Sequence, residues 1–197
     1  MFIKKKPSRK KNTHYRSRKY ITKEEFDILI SKRIKTKRES QRRIDRYKSI
    51  LYLLYYHALR CSELVELKWD AIDMVSKTIH ITRLKNGKSS IHPLMKCEYP
   101  VLKRLYDIRK GFYVLEGPMG DQMPRASVNS FFFRLNKKKL IPLKLHPHML
   151  RHGCGYYLAN KGIDTRSIQV YMGHSCIKST AIYTEISPNR FNDFFTD

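Results

Sequence analysis

Acidic residues are scarce in this sequence: its 197 residues include 17 Asp or Glu against 41 Lys or Arg, a formal net charge of +24. A field this positive favours a polyanionic partner, such as DNA, RNA or an anionic membrane surface. It argues against an enzyme for small neutral or cationic substrates. Hydrophobic residues make up 41%, which is enough to bury a core in a chain of this length.

Cysteines and long apolar runs are also few. The four cysteines (Cys61, Cys97, Cys154 and Cys176) stand far apart without a Cys-x-x-Cys pair, which argues against a disulfide framework or a zinc ribbon. The longest strongly apolar run, residues 50–56, is too short to span a bilayer, and no apolar signal region follows the basic N-terminus. These absences indicate a soluble chain in a reducing compartment, with no metal site and no membrane partner.

The first twenty residues are the most basic stretch, with nine Lys or Arg and no acid. Because they hold only scattered apolar residues, we predict a flexible arm over residues 1–20 and a single domain over residues 21–197. The arm is either a solubilising tail or a segment that lies along DNA phosphates. On the second interpretation, the contacting residues are Lys4, Lys5, Lys6, Arg9, Lys10 and Lys11.

Apolar periodicity predicts a mainly α domain with a small antiparallel sheet. Thr22 and Glu25 have the spacing of a capping box, and Ser62 is the predicted N-cap of a brief helix. Gly162 and Gly173 stand where a glycine ends a helix. The predicted helices cover residues 22–32, 39–59, 62–67, 98–110, 125–138, 147–160, 164–171 and 177–184.

A β-hairpin interrupts the helical pattern. Residues 78–82 alternate and are rich in β-branched side chains, and residues 90–94 can return as the second strand. Asn86-Gly87 between them is a strong signal for a tight turn, so the hairpin has a lysine-rich tip. The three consecutive phenylalanines at 131–133, within a later helix, are interpreted as core rather than as platforms for stacking bases.

Five polar residues attract attention, although each has an ordinary explanation when taken alone. Arg60 follows an apolar helix, where a cation suits the helix dipole. His148 and Arg151 share a helix face, a spacing that arises often by chance. His174 follows a glycine at a turn and is expected to be exposed, and Tyr183 is one of 13 tyrosines.

The order of these residues along the chain changes their interpretation. The strings HALRCSELVEL, HPHMLRHGCGYYLANKG and YMGHSCIKSTAIYT accompany the lysine-bearing hairpin. Together they resemble the tyrosine recombinases, the integrase-type site-specific recombinases, over residues 22–190. The family pattern is Arg, Lys on a β-turn, His-x-x-Arg, His or Trp, and then Tyr. The matching residues here are Arg60, Lys85, His148, Arg151, His174 and Tyr183.

The resemblance implies a catalytic-domain fold and a reaction without metal, ATP or any other cofactor. Tyr183 would attack the scissile phosphate and become linked to a DNA 3′ end, while the two arginines bind the non-bridging oxygens. Lys85 would protonate the leaving 5′ oxygen, and the two histidines would assist proton movement or bind the phosphate.

Three further residues are matched less firmly. Lys88 is the alternative to Lys85 as the catalytic lysine, and it is also a candidate DNA contact. Glu63 would support the site by orienting Arg60 or a histidine, or it would cap the helix, and both roles are compatible. His152 directly follows the second arginine and is expected to point to another helix face, so it is left out of the site.

Within the family, the short length and the string HPHMLRHGCGY resemble the fimbrial-switch recombinases, which invert a promoter-bearing DNA segment in bacteria. This implies double-stranded DNA with inverted-repeat sites as the partner, a homotetramer on two such sites, and accessory DNA-bending proteins. It also implies a location in the bacterial cytoplasm at the nucleoid. Most integrases carry a separate N-terminal core-binding domain. Ahead of the predicted catalytic domain, this chain has room only for the arm and the first helix.

Other functions are compatible with the same charge. A DNA-binding transcriptional regulator with the same fold would bind without cutting, although the complete set of residues argues against it. An RNA- or ribosome-associated protein would carry this charge too, but no ordinary RNA-binding motif is present. A relaxing type IB topoisomerase would use similar chemistry on DNA that has no recombination site.

Overall fold

The computed structural model of the chain describes residues 18–33, 40–84 and 87–185. Within these ranges the chain forms eight α-helices and a three-stranded antiparallel sheet, so the predicted mainly α class is confirmed. The helices are α1 (Lys23–Arg33), α2 (Gln41–Tyr56), α3 (Cys61–Glu66), α4 (Tyr99–Asp107), α5 (Arg125–Lys137), α6 (Pro147–Asn160), α7 (Thr165–Met172) and α8 (Lys178–Thr184). The strands are β1 (Ile72–Asp73), β2 (Thr78–Ile81) and β3 (Ser90–Pro93).

Helix α2 is the centre of the core. It packs against α4 and α6, and its second half is buried on nearly all sides, with Leu51, Leu53 and Leu54 at 0% exposure. A helix at the protein surface needs only one apolar stripe, on the side that faces the core. A helix that is apolar on all sides is instead enclosed by other elements. The elements that carry the candidate functional residues are therefore built around α2.

The end of α2 differs from the prediction. The apolar pattern predicts a helix to residue 59, but α2 ends at Tyr56, and Ala58 adopts the left-handed conformation with φ of 50°. The amide of Leu59 donates to the Leu53 carbonyl six residues back, which closes the helix end. The turn aims the Ala58 carbonyl into the protein interior, where two arginines use it. The apolar periodicity of the sequence does not show where the helix ends, because residues 57–59 stay buried after the last turn of α2.

The sheet contains the predicted hairpin and one strand more. β2 pairs with β3 in antiparallel register, with Ile81 opposite Ser90. β1 pairs with the other edge of β2, opposite Ile79, and its two residues are too few to show alternation in the sequence. Lys85 and Asn86, at the predicted tight turn, lie outside the described residues.

The caps of the helices are mostly as predicted. The Thr22 amide donates to Glu25, and the Glu25 amide to the Thr22 hydroxyl, which is the expected capping box. Gly173 ends α7 with a left-handed φ of 64°. The prediction that Ser62 caps α3 is wrong: α3 begins at Cys61 and its N-cap is Arg60, because Glu63 accepts the Arg60 amide.

The phenylalanines of α5 provide a matched pair for a stability test. Phe131 is fully buried, whereas Phe133 is 62% exposed, so the interpretation of all three as core is wrong for Phe133. We predict that Phe131→Ala lowers the free energy of unfolding by about 3–5 kcal/mol, because it leaves a cavity. Phe133→Ala is expected to change it by less than about 0.5 kcal/mol. Urea denaturation measures both, and similar losses would contradict this packing of α5.

Candidate active site

The residues around Arg60 form a compact charged cluster. The Arg60 guanidinium lies 2.7 Å from Glu63 Oε1, and its backbone amide donates to the other carboxylate oxygen at 2.7 Å. Burial alone would raise the pKa of Glu63, but the hydrogen bond from the Arg60 amide and the charges of Arg83 and Arg60 hold that pKa below its usual value. Glu63 thus both caps α3 and orients Arg60, the two roles that the sequence leaves open.

Arg151 enters the same cluster from α6. Its guanidinium donates to the carbonyls of Ala58 and Met172, the second at 2.7 Å, and lies 4.0 Å from Glu63. Burial, with the charges of Arg83 and Arg60, lowers the pKa of Arg151 to about 10. The side chain therefore remains charged at neutral pH, and two of the predicted arginines lie against one carboxylate.

A cleft of about 690 Å³ opens beside Arg60, between α3, α5 and α6. Arg60 and His148 lie on its wall, so the structure brings these two predicted residues together. Burial, then the charge of Arg151, lowers the pKa of His148. The lining is completed by α5 and its neighbours: Leu59, Cys61, Ser62, Leu84, Arg125, Asn129, His146 and Pro147.

Tyr183, the predicted nucleophile, is buried on α8 with 1% exposure. Its ring lies against the backbone of α6 at Gly155, where a Cβ would stand 2.8 Å from the ring. Burial raises the pKa of Tyr183 above its usual value, even though the Arg151 charge opposes this shift. The phenol is therefore neutral in this conformation, and it needs a proton acceptor before it can attack.

The imidazole within hydrogen-bond distance of the Tyr183 hydroxyl is that of His152, which the sequence prediction left out of the site. Its Nδ1 lies 2.8 Å from the Tyr183 hydroxyl, and burial, with the His148 charge next, lowers its pKa to about 4. The exclusion is wrong because α8 packs across that face of α6, and the sequence of α6 alone does not show this. The signal was present as His148 and His152 at i, i+4, whose rings lie 4.4 Å apart.

His174 also lies near Tyr183. Its ring centroid is 6.2 Å from that of Tyr183, and Nδ1 lies 2.9 Å from the Thr180 hydroxyl, which fixes the ring orientation. Burial, with the charges of Arg151 and Arg60, lowers the pKa of His174 to about 4. Two neutral imidazoles therefore flank the phenol at neutral pH.

The segment that leads into α1 also reaches this region. The Tyr20 ring stacks on Tyr156 of α6 with 3.8 Å between the centroids, and Tyr156 meets Tyr183 edge-on at 5.1 Å. An unbroken contact of three rings thus joins the start of the described chain to the predicted nucleophile.

Some predicted residues are placed away from this cluster or cannot be placed. Lys88 is exposed beyond the hairpin tip. Lys85 lies outside the described residues, although Leu84 before it lines the cleft and Gly87 after it lies against Gly173. The basic residues of the arm, Lys4, Lys5, Lys6, Arg9, Lys10 and Lys11, also lie outside the described ranges.

Comparison with known proteins supports the resemblance inferred from the sequence. A model of the phage integrase family matches residues 19–190. The chain belongs to this family. The type 1 fimbriae regulatory protein FimB of Escherichia coli (strain K12) is 39% identical over 145 residues, which are 71% of this chain and 72% of FimB. The predicted kinship with the tyrosine recombinases, and with their fimbrial relatives, is confirmed.

Solved structures of other integrase-family proteins show the same fold. XerA recombinase matches with a TM-score of 0.71 and 23% identity over 89% of this chain. The Tn1549 transposon integrase, solved in complex with circular intermediate DNA, matches with a TM-score of 0.70 and 24% identity over 83%. The chain spans 63% and 61% of these two solved chains. The predicted catalytic-domain fold is thereby confirmed.

Other kinds of site find no support in the described ranges. No three His, Cys, Asp or Glu side chains are grouped there so that they could hold a metal ion. Nor does any helix in those ranges have the length and apolar character needed to cross a bilayer.

The lowered pKa values of His152 and His174 predict a pH dependence of this integrase-family domain. Unfolding returns His152 and His174 to a pKa near 6.5. Between about pH 6.5 and 4, the unfolded chain therefore takes up protons that the folded chain does not, and the free energy of unfolding falls as the pH is lowered. Urea denaturation at pH 7 and pH 5 measures this loss.

The variant His152→Gln is expected to lose part of that pH dependence, whereas His80→Gln, at an exposed position of β2, keeps it. Equal pH dependence in both variants would contradict the burial of a neutral His152.

Proposed function

We propose that this protein cuts and rejoins DNA at specific sites through a covalent Tyr183 intermediate. The observation that carries the proposal is the placement of one tyrosine hydroxyl within hydrogen-bond distance of a neutral histidine, with two arginines in the same cluster. Membership of the integrase family and the net charge of +24 support DNA as the substrate.

In the proposed reaction, the Tyr183 oxygen attacks the scissile phosphorus as its proton passes to His152. A P–O bond to tyrosine forms, the P–O5′ bond breaks, and the DNA 3′ end stays attached as a phosphotyrosine. The leaving 5′ oxygen receives a proton, a role that we assign to Lys85 from the family resemblance. Reversal by another 5′ hydroxyl rejoins the strands, so the energy of the broken bond is kept.

The arginines stabilise the charge that develops on the phosphate. Arg60 is the more accessible, with 29% of its side chain exposed at the cleft, so its planar fork can bind two non-bridging oxygens. Arg151 is buried behind it and adds a fixed positive charge. Such preorganised charge becomes more effective when the bound DNA excludes water from the cleft.

The buried phenol implies that DNA binding precedes activation. At 1% exposure Tyr183 cannot reach a phosphate in the cleft without moving from its place against α6. We therefore propose that α8 shifts when DNA occupies the cleft, bringing the hydroxyl to the phosphorus. His148 and His174 then bind the phosphate or take up protons in the assembled site.

We further propose that the reaction inverts a DNA segment between inverted-repeat sites. The support is the similarity to FimB, whose name describes regulation of type 1 fimbriae. This biological setting would use a homotetramer on two sites, accessory DNA-bending proteins, and a location at the bacterial nucleoid. A regulator that binds the same DNA without cutting is the alternative.

A covalent trapping assay tests the chemistry. Nicked suicide substrates drawn from the DNA that flanks the gene are incubated with the protein, and a denaturant-resistant adduct is sought on gels. We expect an adduct with the natural sequence and none with Tyr183→Phe, because only the phenolic oxygen can form the bond. His152→Gln is expected to slow adduct formation about 100-fold, within the range for general-base loss.

The matched control is Tyr106→Phe. Tyr106 is a partly buried tyrosine on α4 that has no role in the proposed reaction. This variant should trap DNA as the natural protein does. Tight DNA binding without any adduct would instead favour the regulator.

The arm is tested through the salt dependence of DNA binding. Replacing Lys4, Lys5, Lys6, Arg9, Lys10 and Lys11 by Ser should weaken binding to all sequences alike. It should also flatten the log-log salt slope by about 0.9 for each phosphate that the arm no longer neutralises. Fluorescence anisotropy at several salt concentrations measures the slope. Lys103→Ser, which removes an exposed partner of Asp107, is the control. An unchanged slope would identify the arm as a solubilising tail.

A further inference from the structure

Arg83 is a buried arginine that the reaction described above does not use. It follows β2, two residues before Lys85, and 0% of its side chain is exposed. Burying a guanidinium is costly unless its donors are paired, so its position needs an explanation. Burial lowers the pKa of Arg83, and the Glu63 carboxylate opposes this shift.

The Arg83 guanidinium joins three segments of the chain. Nη1 donates to Glu63 at 3.0 Å and to the Ala58 carbonyl at 3.2 Å. Nη2 donates to the His57 carbonyl at 3.1 Å and to the Tyr171 carbonyl at 2.8 Å. One side chain therefore ties the hairpin to the turn before Arg60 and to the end of α7.

Two glycines make room for this side chain. A Cβ at Gly173 would collide with the Arg83 side chain, and a Cβ at Gly87 would stand 2.7 Å from Arg83 Cβ. Gly173 directly precedes His174, and Gly87 lies two residues after Lys85. Arg83 is thus in contact with the turns that carry two of the proposed catalytic residues.

We propose that Arg83 is a positioning residue that sets where the two catalytic arginines point; this role rests on the proposed strand cleavage. Arg83 shares both of its key acceptors with them: Glu63 with Arg60, and the Ala58 carbonyl with Arg151. When Arg83 is removed, these acceptors are free to draw the remaining guanidiniums inward. Arg151 is already only 4.0 Å from Glu63. The Arg60 fork then moves away from the non-bridging oxygens, and the fixed charge of Arg151 is displaced with it.

The test compares two substrates for the full chain and its variants. One carries the natural scissile phosphate, and the other carries a methylphosphonate, in which a methyl group replaces one charged oxygen. Because a neutral phosphonate needs less charge stabilisation, misplaced arginines matter less for it. The single-turnover rate of adduct formation is measured at saturating DNA, together with the dissociation constant.

For Arg83→Met, we expect at least a tenfold loss of rate on the phosphate, a smaller loss on the methylphosphonate, and a dissociation constant within about twofold of the natural protein. Arg83→Lys keeps the positive charge but lacks the fork, so it should show the same pattern and serves where the Met variant does not fold. The control is Arg104→Met, which breaks the ion pair of α4 with buried Asp45. It should lower stability without lowering either rate well below its melting temperature.

Equal losses on the two substrates would show a merely structural role and overturn the proposal, as would an unchanged rate. Failure of the proposed function is a different result. In that case the natural protein forms no Tyr183-dependent adduct with either substrate, and the positioning role fails with it.

Discussion

The rest of the site depends on one interaction, the pairing of the buried Glu63 carboxylate with arginines. Three guanidiniums, those of Arg60, Arg83 and Arg151, surround this one carboxylate, so the positive charge of the cluster exceeds its negative charge. Backbone carbonyls at two turns supply part of the missing negative charge. The cluster keeps an excess of positive charge, which the scissile phosphate would balance in the proposed reaction.

The same cluster sets the protonation of its neighbours. Its positive charge adds to the effect of burial on the histidines, and both favour the neutral imidazole. For Tyr183 the two effects oppose each other, and burial prevails. In the proposed reaction, movement of the phenol out of its pocket would remove the larger effect and leave the arginines to favour the phenolate, so that exposure would itself activate Tyr183.

The sequence predicts those features that depend on local order. The long helices follow from apolar periodicity, the caps at Thr22 and Gly173 from local chemistry, and the family from the order of its polar residues. The sequence does not predict features that depend on packing between distant segments of the chain. The contact of His152 with Tyr183 forms only when α8 packs across α6. The contacts of Arg83 form only when the hairpin, the turn before Arg60 and the end of α7 come together.

Single-residue conformations are equally hard to foresee. The left-handed Ala58 stands in a run of buried residues that reads as uninterrupted helix, yet its carbonyl is a shared acceptor for two arginines. An alanine gives no sign of this geometry, whereas a glycine would have.

The three-ring contact from Tyr20 through Tyr156 to Tyr183 has a practical consequence for anyone who shortens the chain. A truncation that ends just before Tyr20 keeps the three rings but removes Arg18, which forms an ion pair with Glu25 of α1. One that extends a single residue further also removes the ring that packs on Tyr156, the neighbour of Tyr183, so loss of the basic arm and disturbance around Tyr183 would become indistinguishable. The aromatic contact at Tyr20 thus begins one residue after Lys19, where the basic stretch of the sequence ends.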